Sequence, residues 1–269
     1  ADAMWWNPAA LGFAKWQSAA YTRVQLVPGL ADDVIYQYGS FATPIGSRFG
    51  VGASWTYLDY NADKDRFDPY DDYESSLALG AGFRVLPELA LGLTGKYAKV
   101  SFIDGRYEGD AFAFDVGALY RVEADPVRMG IGAALYDLGP EMHFDDRTGD
   151  GSPLGRAFRI GSAVTYPFLL GDQGLEGGVT LQADFMQSLV TNKYRTYHAG
   201  GEVSVGDGSW VRVALRGGYY EDRLGEIEDP TWGAGIRVLG ASVDYAEIPQ
   251  AKDSGLPYVK KWTFGFHTD

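Results

Sequence analysis

In Phe49-Gly50-Val51-Gly52-Ala53-Ser54-Trp55-Thr56-Tyr57 every odd residue is apolar or aromatic and every even one is Gly, Ser or Thr. Side chains of a β-strand point to opposite faces in turn, so this stretch offers one greasy face and one small, polar face. Segments of about ten residues with the same alternation, each closed by a turn, continue as far as Phe266. A transmembrane β-barrel needs this pattern, with lipid on one side of its wall and a wetter lumen on the other. A soluble sheet has the same period, so composition and charge must separate the two.

Aromatic residues make up 14% of the 269 residues, Gly counts 36, and mean hydropathy is still −0.18, because apolar residues are spaced out rather than massed. No run approaches the ~18 consecutive apolar residues of a membrane helix. A membrane protein of this composition has to be a barrel, the other structure that satisfies its backbone in lipid. The absence of Cys excludes a disulfide framework, a thiolate metal site and a Cys nucleophile. The opening residues ADAMWWNPAALGF carry neither a basic n-region nor an apolar h-region, which predicts a mature chain whose export signal is gone.

The alternation and the turns predict strands at 18–27, 33–41, 48–58, 74–85, 90–101, 111–122, 127–137, 156–166, 177–187, 196–206, 210–220, 231–239, 241–247 and 258–267. The even number suits a single-chain bacterial barrel. Connections after even-numbered strands are short and several after odd ones are long, notably 59–73 and 138–155; the stretch 167–175 is an exception on the short side. Short turns are periplasmic in such barrels, which predicts periplasmic termini in the outer membrane of a Gram-negative (diderm) bacterium.

Faces follow from the same alternation. The outward candidates are Phe49, Val51, Trp55, Leu77, Leu79, Phe83, Leu91, Leu93, Phe112, Phe114, Val116, Met129, Ile131, Leu135, Ile160, Val164, Val179, Leu181, Phe185, Val211, Val213, Leu215, Ile236, Val243, Trp262 and Phe264, none of them charged. The other face collects Glu74, Arg84, Lys96, Asp115, Arg121, Arg128, Arg159, Gln182, Asp184, His198, Glu202, Arg212, Arg216, Arg237, Asp244 and Lys261. A soluble sandwich buries its inner face and would not place so many charges there. These residues are predicted to line a polar lumen with almost no large apolar side chains. Rows of Gly on the same face, Gly50, Gly52, Gly80, Gly82, Gly130, Gly132, Gly233 and Gly235, predict sharp bending or a close-lying plug.

Net charge is −13, with Asp59, Asp63, Asp65, Asp68, Asp71 and Asp72 crowded into one predicted outer loop and Glu141, Asp145, Asp146 and Asp150 into another. So acidic a surface excludes nucleic acid as a partner. Asn61-x-Asp63-x-Asp65 with Asp72 at the twelfth position echoes a calcium loop, but Arg66 occupies the place of the turn Gly. The expectation is no cofactor: a solvated loop that bridges to lipopolysaccharide or a partner through divalent ions such as Ca. Catalysis finds no support, since His143, His198 and His267 are scattered and no G-x-S-x-G string is present.

Ahead of the first strand stands Ala3-Met4-Trp5-Trp6-Asn7-Pro8-Ala9-Ala10-Leu11. Pro8 fixes φ, biases Asn7 to an extended conformation and can open a short helix over Pro8–Phe13. The string resembles the aromatic-Asn-Pro-Ala-Gly-Leu motif at the N-terminus of the FadL superfamily, especially its PorV/PorQ branch, with Ala10 where that motif has Gly. Ala113–Arg121, Leu215-Arg216-Gly217-Gly218-Tyr219 and Val243-Asp244-Tyr245-Ala246 are similar to later strands of the family. The resemblance implies a fourteen-stranded antiparallel barrel over 18–269 and a plug or hatch segment over 1–17, incomplete here, anchored by Trp5, Trp6, Asn7 and Pro8.

The resemblance also implies two functions. PorV-like barrels serve the type IX secretion machinery, holding cargo or capping the translocon, whereas FadL-type channels pass hydrophobic small molecules when the plug shifts. FadL transporters build a ligand cup from large outer loops, and the loops here are short. The expectation is therefore the partner protein. Tyr60, Phe67, Tyr70, Asp71, Asp72 and Tyr73, with His143 and Phe144, are its candidate contacts with a larger outer-membrane or secreted protein.

Overall fold

A computed structural model describes residues 3–61, 72–103, 105–144, 151–171, 175–191, 194–207 and 210–268. The strands are β1 (Ser18–Val27), β2 (Ala31–Ile45), β3 (Phe49–Asp59), β4 (Tyr73–Arg84), β5 (Leu89–Phe102), β6 (Tyr107–Ala124), β7 (Val127–Leu138), β8 (Met142–Phe144), β9 (Gly151–Ser152), β10 (Ala157–Leu170), β11 (Leu175–Ser188), β12 (Arg195–Gly206), β13 (Val211–Asp222), β14 (Ile227–Val238), β15 (Ala241–Ile248) and β16 (Val259–His267). Fourteen of them, all but β8 and β9, close into one antiparallel barrel. Neighbours in sequence pair around the ring, β7 pairs β10, and β1 closes on β16 through pairs such as Tyr21↔Phe264. No helix among the described residues is long and apolar enough to cross a membrane; the strands supply the crossing.

Each expected strand overlaps an observed one. Three local expectations change. β10 and β11 pair through Leu170↔Leu175, so only 171–174 separate them and the turn is as short as the others at that end. Tyr73 begins β4 rather than ending a loop. The long connection 138–155 carries a small ribbon: β8 pairs with β9 and with the extended end of β6 through Gly109↔Phe144, and Met142 is buried there.

The outer surface is greasy. Leu79 is 73% exposed, and every outward candidate is exposed except the half-buried Val51, Leu135, Val179 and Phe185. In water this would be untenable, but a lipid-facing wall requires it. Aromatic groups gather on this face toward the end away from the chain termini, where the Trp232, Tyr245 and Trp262 rings pack in series at 5.5 and 4.7 Å. Such belts sit at membrane interfaces. We call the end that holds the termini and the short turns the terminal end, and the opposite one the far end.

The lumen is half filled by the N-terminal segment. A single helical turn, Ala3–Trp6, leads into a 3₁₀ helix, Pro8–Phe13. Asn7 caps it in extended conformation, φ −165°, with its side-chain oxygen accepting from Ala9 N at 2.9 Å, and Pro8 supplies the first helical position. Met4 and Leu11 pack with Ala42 of β2 as the small apolar core.

Candidate functional site

The site is the lumen, and its inner face is identified by what touches the plug. Gly50↔Gly82, Gly82↔Gly92 and Gly92↔Gly117 are successive cross-strand partners, so one unbroken belt of glycine crosses β3, β4, β5 and β6. The 3₁₀ helix lies along this belt. A Cβ at Gly50 would strike the Leu11 carbonyl, one at Gly82 the Gly12 nitrogen, one at Gly92 the backbone of Pro8 and Ala9, and one at Gly117 the Asn7 side chain. Four strands at ~4.8 Å spacing span about 14 Å, and six residues of 3₁₀ helix rise about 12 Å, so helix and belt match in length. Gly52 and Gly80 likewise give room to Met4 and Leu11, and Gly132 to Asn7. Gly130, Gly233 and Gly235 do not approach the plug: Gly235 instead makes space for the Asp244 and Arg216 side chains.

Asn7 ties this arrangement together. Its amide nitrogen donates to Ala118 O at 3.0 Å and Ala133 O at 3.1 Å, straddling β6 and β7, while its oxygen caps the helix. Trp5 meets Tyr38 edge-on at 5.3 Å and Tyr36 at 6.4 Å. Trp6 lies under the Arg159 guanidinium at 4.2 Å, and its carbonyl accepts from Tyr136 Oη. Pro8 is fully buried against the wall. Phe13 closes the segment beneath Arg84 and Arg121, at 5.9 and 4.7 Å.

The remaining lumen charges form three clusters. Lys96 bridges Asp115 and Asp137 at 2.8 and 2.9 Å; Asp137 sits at φ +54° beside a register shift between β6 and β7, a bulge that turns it toward the cluster. Asp184 is shared by Arg159 at 2.6 Å and His198 Nδ1 at 2.8 Å, and the His198 ring stacks on Tyr220 at 4.8 Å. Arg216 reaches Glu202 at 2.6 Å and Asp244 at 2.5 Å. Nearer the terminal end, Arg128 stands opposite Glu123, Arg212 opposite Arg237, and Arg212 also meets Glu176 at 3.6 Å.

Above the plug, toward the far end, the lumen opens into a cavity of ≈ 510 Å³ floored by Trp5 and Trp6. Val24, Leu26, Tyr36, Tyr38, Ile227, Ile248 and Val259 line it, with Thr22, Tyr220 and Lys261 among its polar groups. This corrects the expectation of a lumen without large apolar side chains. On β1, apolar and polar types do not sort cleanly between faces, so an inward set chosen by charge passes over Val24 and Leu26.

The side chains expected to dock a partner are only partly together. Tyr60 donates to Glu74 at 2.7 Å and leans on Phe102, and burial first, then the Glu74 carboxylate, pushes its phenol above the usual range. Asp72 accepts from Ile103 N at 2.6 Å, and Tyr73 stacks on Tyr57 at 5.5 Å. These three hold β3, β4 and β5 at the far end. His143 is exposed and Phe144 packs over Gly109, on the separate ribbon. Phe67, Tyr70 and Asp71, with most of the calcium-like string, lie outside the described residues.

Fold and lumen together define a closed outer-membrane-type β-barrel with a lumenal plug. No protein-family model and no curated protein match the chain. Among solved structures, the toluene transporter TbuX of Ralstonia pickettii matches 99% of this chain over 92% of its own, at 14% identity and TM-score 0.54. The CymD monoaromatic hydrocarbon channel matches 100% over 92%, at 11% identity and TM-score 0.61. A mutant of the TodX monoaromatic hydrocarbon channel matches 98% over 93%, at 10% identity and TM-score 0.52. At these identities the likeness is one of fold alone: the chain shares the closed antiparallel barrel of these channels.

Proposed function

We propose that this protein is an outer-membrane channel for hydrophobic small molecules, oriented with its termini in the periplasm. The observation that carries the reading is the apolar, aromatic cavity closed on one side by Trp5 and Trp6. Its ≈ 510 Å³ falls within the range of ligand pockets, ~300–1,000 Å³, and an apolar cavity of about 150 Å³ already holds benzene. Aromatic rings present faces and edges to a flat apolar guest, and the hydroxyls of Tyr36 and Tyr38 add few polar demands. Of the proteins that share the fold, TbuX is a toluene transporter and CymD a monoaromatic hydrocarbon channel, which supports the same class of cargo here. A PorV-like role in secretion draws less support, because Tyr60, Asp72 and Tyr73 are engaged within the barrel.

Uptake of toluene by cells expressing the protein tests the reading. Val24→Asp, which places a charge in the cavity wall, is expected to abolish protein-dependent uptake while leaving the heat-modifiable barrel intact. Exchange of 61–72 for a Gly/Ser segment is expected to leave uptake unchanged. Uptake indifferent to Val24→Asp, together with a larger membrane or secreted protein that co-purifies with the wild type and is lost on the loop exchange, would replace the channel reading by the secretion partner.

A further inference from the structure

Lumen cations divide by what they meet. Lys96, Arg159 and Arg216 each hold at least one carboxylate within 2.9 Å. Among the described residues Arg212 and Arg237 do not, while Arg84 and Arg121 cover the Phe13 ring and Arg128 stands opposite Glu123. Arg212 and Arg237 stand directly opposite each other across β13 and β14 on the lumen face, beside the terminal-end turns. Arg212 meets Glu176 at 3.6 Å, and that carboxylate side chain is 59% exposed. Its other contact is Ser204 Oγ at 3.4 Å, and Arg237 makes no ion pair among the described residues. Like charges placed directly opposite in a sheet destabilise it. Each guanidinium carries five N–H donors in a fixed fork, and nearly all of these are unused here.

The surroundings leave room for a ligand. Arg212 faces Gly206 across β12, and Arg237 faces Ser242 across β15. Two guanidinium forks over small neighbours, with Glu176 at 3.6 Å as the one ion-pair partner among the described residues, match the bidentate geometry by which arginine takes carboxylate or phosphate. We infer that Arg212 and Arg237 form an oxyanion-binding site at the terminal-end mouth of the lumen, taking the carboxylate or phosphate group of a small solute, with Glu176 as an internal competitor. The site lies apart from the aromatic cavity and does not depend on what that cavity carries.

Titration calorimetry of inorganic phosphate, and separately of benzoate, into the detergent-solubilised full chain tests the site. One saturable event is expected, weakened about tenfold or more in Arg237→Gln and in Arg212→Gln, as the loss of a charged hydrogen bond implies. Arg128→Gln, whose cross-strand neighbour is Glu123, is expected to bind as the wild type does. A second readout separates a binding site from a structural pair. Without phosphate, Arg237→Gln should raise the temperature at which the heat-modifiable band is lost, by relieving repulsion, and saturating phosphate should erase that advantage. Tighter binding of phosphate or of benzoate assigns the head group. Absence of binding for both, equal binding in the variants, or a thermal order indifferent to phosphate overturns the inference.

Discussion

The wall of β3–β7 and the wall of β10–β16 bound the same lumen and meet it in opposite ways. The first is smooth: a cross-strand belt of glycine lets the Pro8–Phe13 helix lie directly on the sheet, so backbone packs on backbone. Charges stand on both walls, since Lys96, Asp115 and Asp137 cluster on β5–β7, but on the second nothing of the plug's described backbone lies among them: Arg159, Asp184, His198, Glu202, Arg216 and Asp244 project inward, and Arg216 keeps 40% of its side-chain surface exposed although it lies inside a barrel. The glycine belt of β3–β6 therefore records the plug lying against the sheet, whereas Gly130 and Gly233, off that belt, meet only the barrel itself among the described residues. The plug reaches across to the charged wall where the Arg159 guanidinium covers Trp6.

The most damaging way to test this contrast is to put a side chain into the smooth wall. Gly92→Val sets a branched group against the backbone of Pro8 and Ala9. Overpacking costs about 1–3 kcal/mol where side chains can yield, and backbone yields less. The expected result is a lower temperature for loss of the heat-modifiable band and displacement of the plug. Because the chain has no native Cys, Ala10→Cys provides a single reporter on the plug, and its maleimide labelling should quicken sharply in the Gly92→Val background. Gly130→Val is the control. It lies on the same face, but the nearest atom to its Cβ would be Tyr120 O at 3.7 Å, so both measurements should stay within about 0.5 kcal/mol of the parent. Equal effects at Gly92 and Gly130 would end the claim that the plug rests on the glycine belt rather than on the wall at large.

Asn7→Ala asks how much of the hold is directional. It removes the helix cap, worth about 1 kcal/mol, and two partly buried donations to Ala118 O and Ala133 O, each worth about 0.5–1.5 kcal/mol. A loss of about 2–4 kcal/mol is expected, with faster Ala10→Cys labelling. Asn7→Asp keeps the cap acceptor but sets a carboxylate oxygen against the Ala118 and Ala133 carbonyls, so it should lose at least as much as Asn7→Ala. If Asn7→Asp behaves as wild type, the bonds to β6 and β7 are incidental.

The strands were legible in the sequence because alternation and turns are local signals, and the fourteen-membered ring follows from them. The glycine belt was only half legible. Gly50 and Gly82 stand out within their own strands, but their alignment with Gly92 and Gly117 is a matter of register between strands, which no single strand encodes. The cavity was missed for a different reason: charge marks the inner face only where charges stand, and Val24, Leu26, Tyr36 and Tyr38 on β1 and β2, with Ile227, Ile248 and Val259 at the far ends of β14–β16, face inward without charge. Among the expected plug anchors, Asn7 was readable as a cap, but its second use as a donor to the wall depends on strands more than a hundred residues away.

The smallest expected effect concerns the contact by which the plug meets Arg159 on β10. Arg159 does two things at once, covering the Trp6 ring at 4.2 Å and pairing with Asp184 at 2.6 Å. A cation over an aromatic face is worth about 0.5–2 kcal/mol, and both functions vanish in Arg159→Gln. Arg159→Lys separates them: a shorter ammonium keeps a charge for Asp184 but loses the planar stacking and the fork. Labelling at Ala10→Cys should therefore rise modestly in both variants. The thermal loss of the heat-modifiable band should move down mainly in Arg159→Gln, where His198 alone remains to meet Asp184. If labelling is unchanged in both while the thermal shift persists, Arg159 belongs to the charged wall alone, and the plug is held by the glycine belt, Asn7 and the contacts of Trp5 and Phe13.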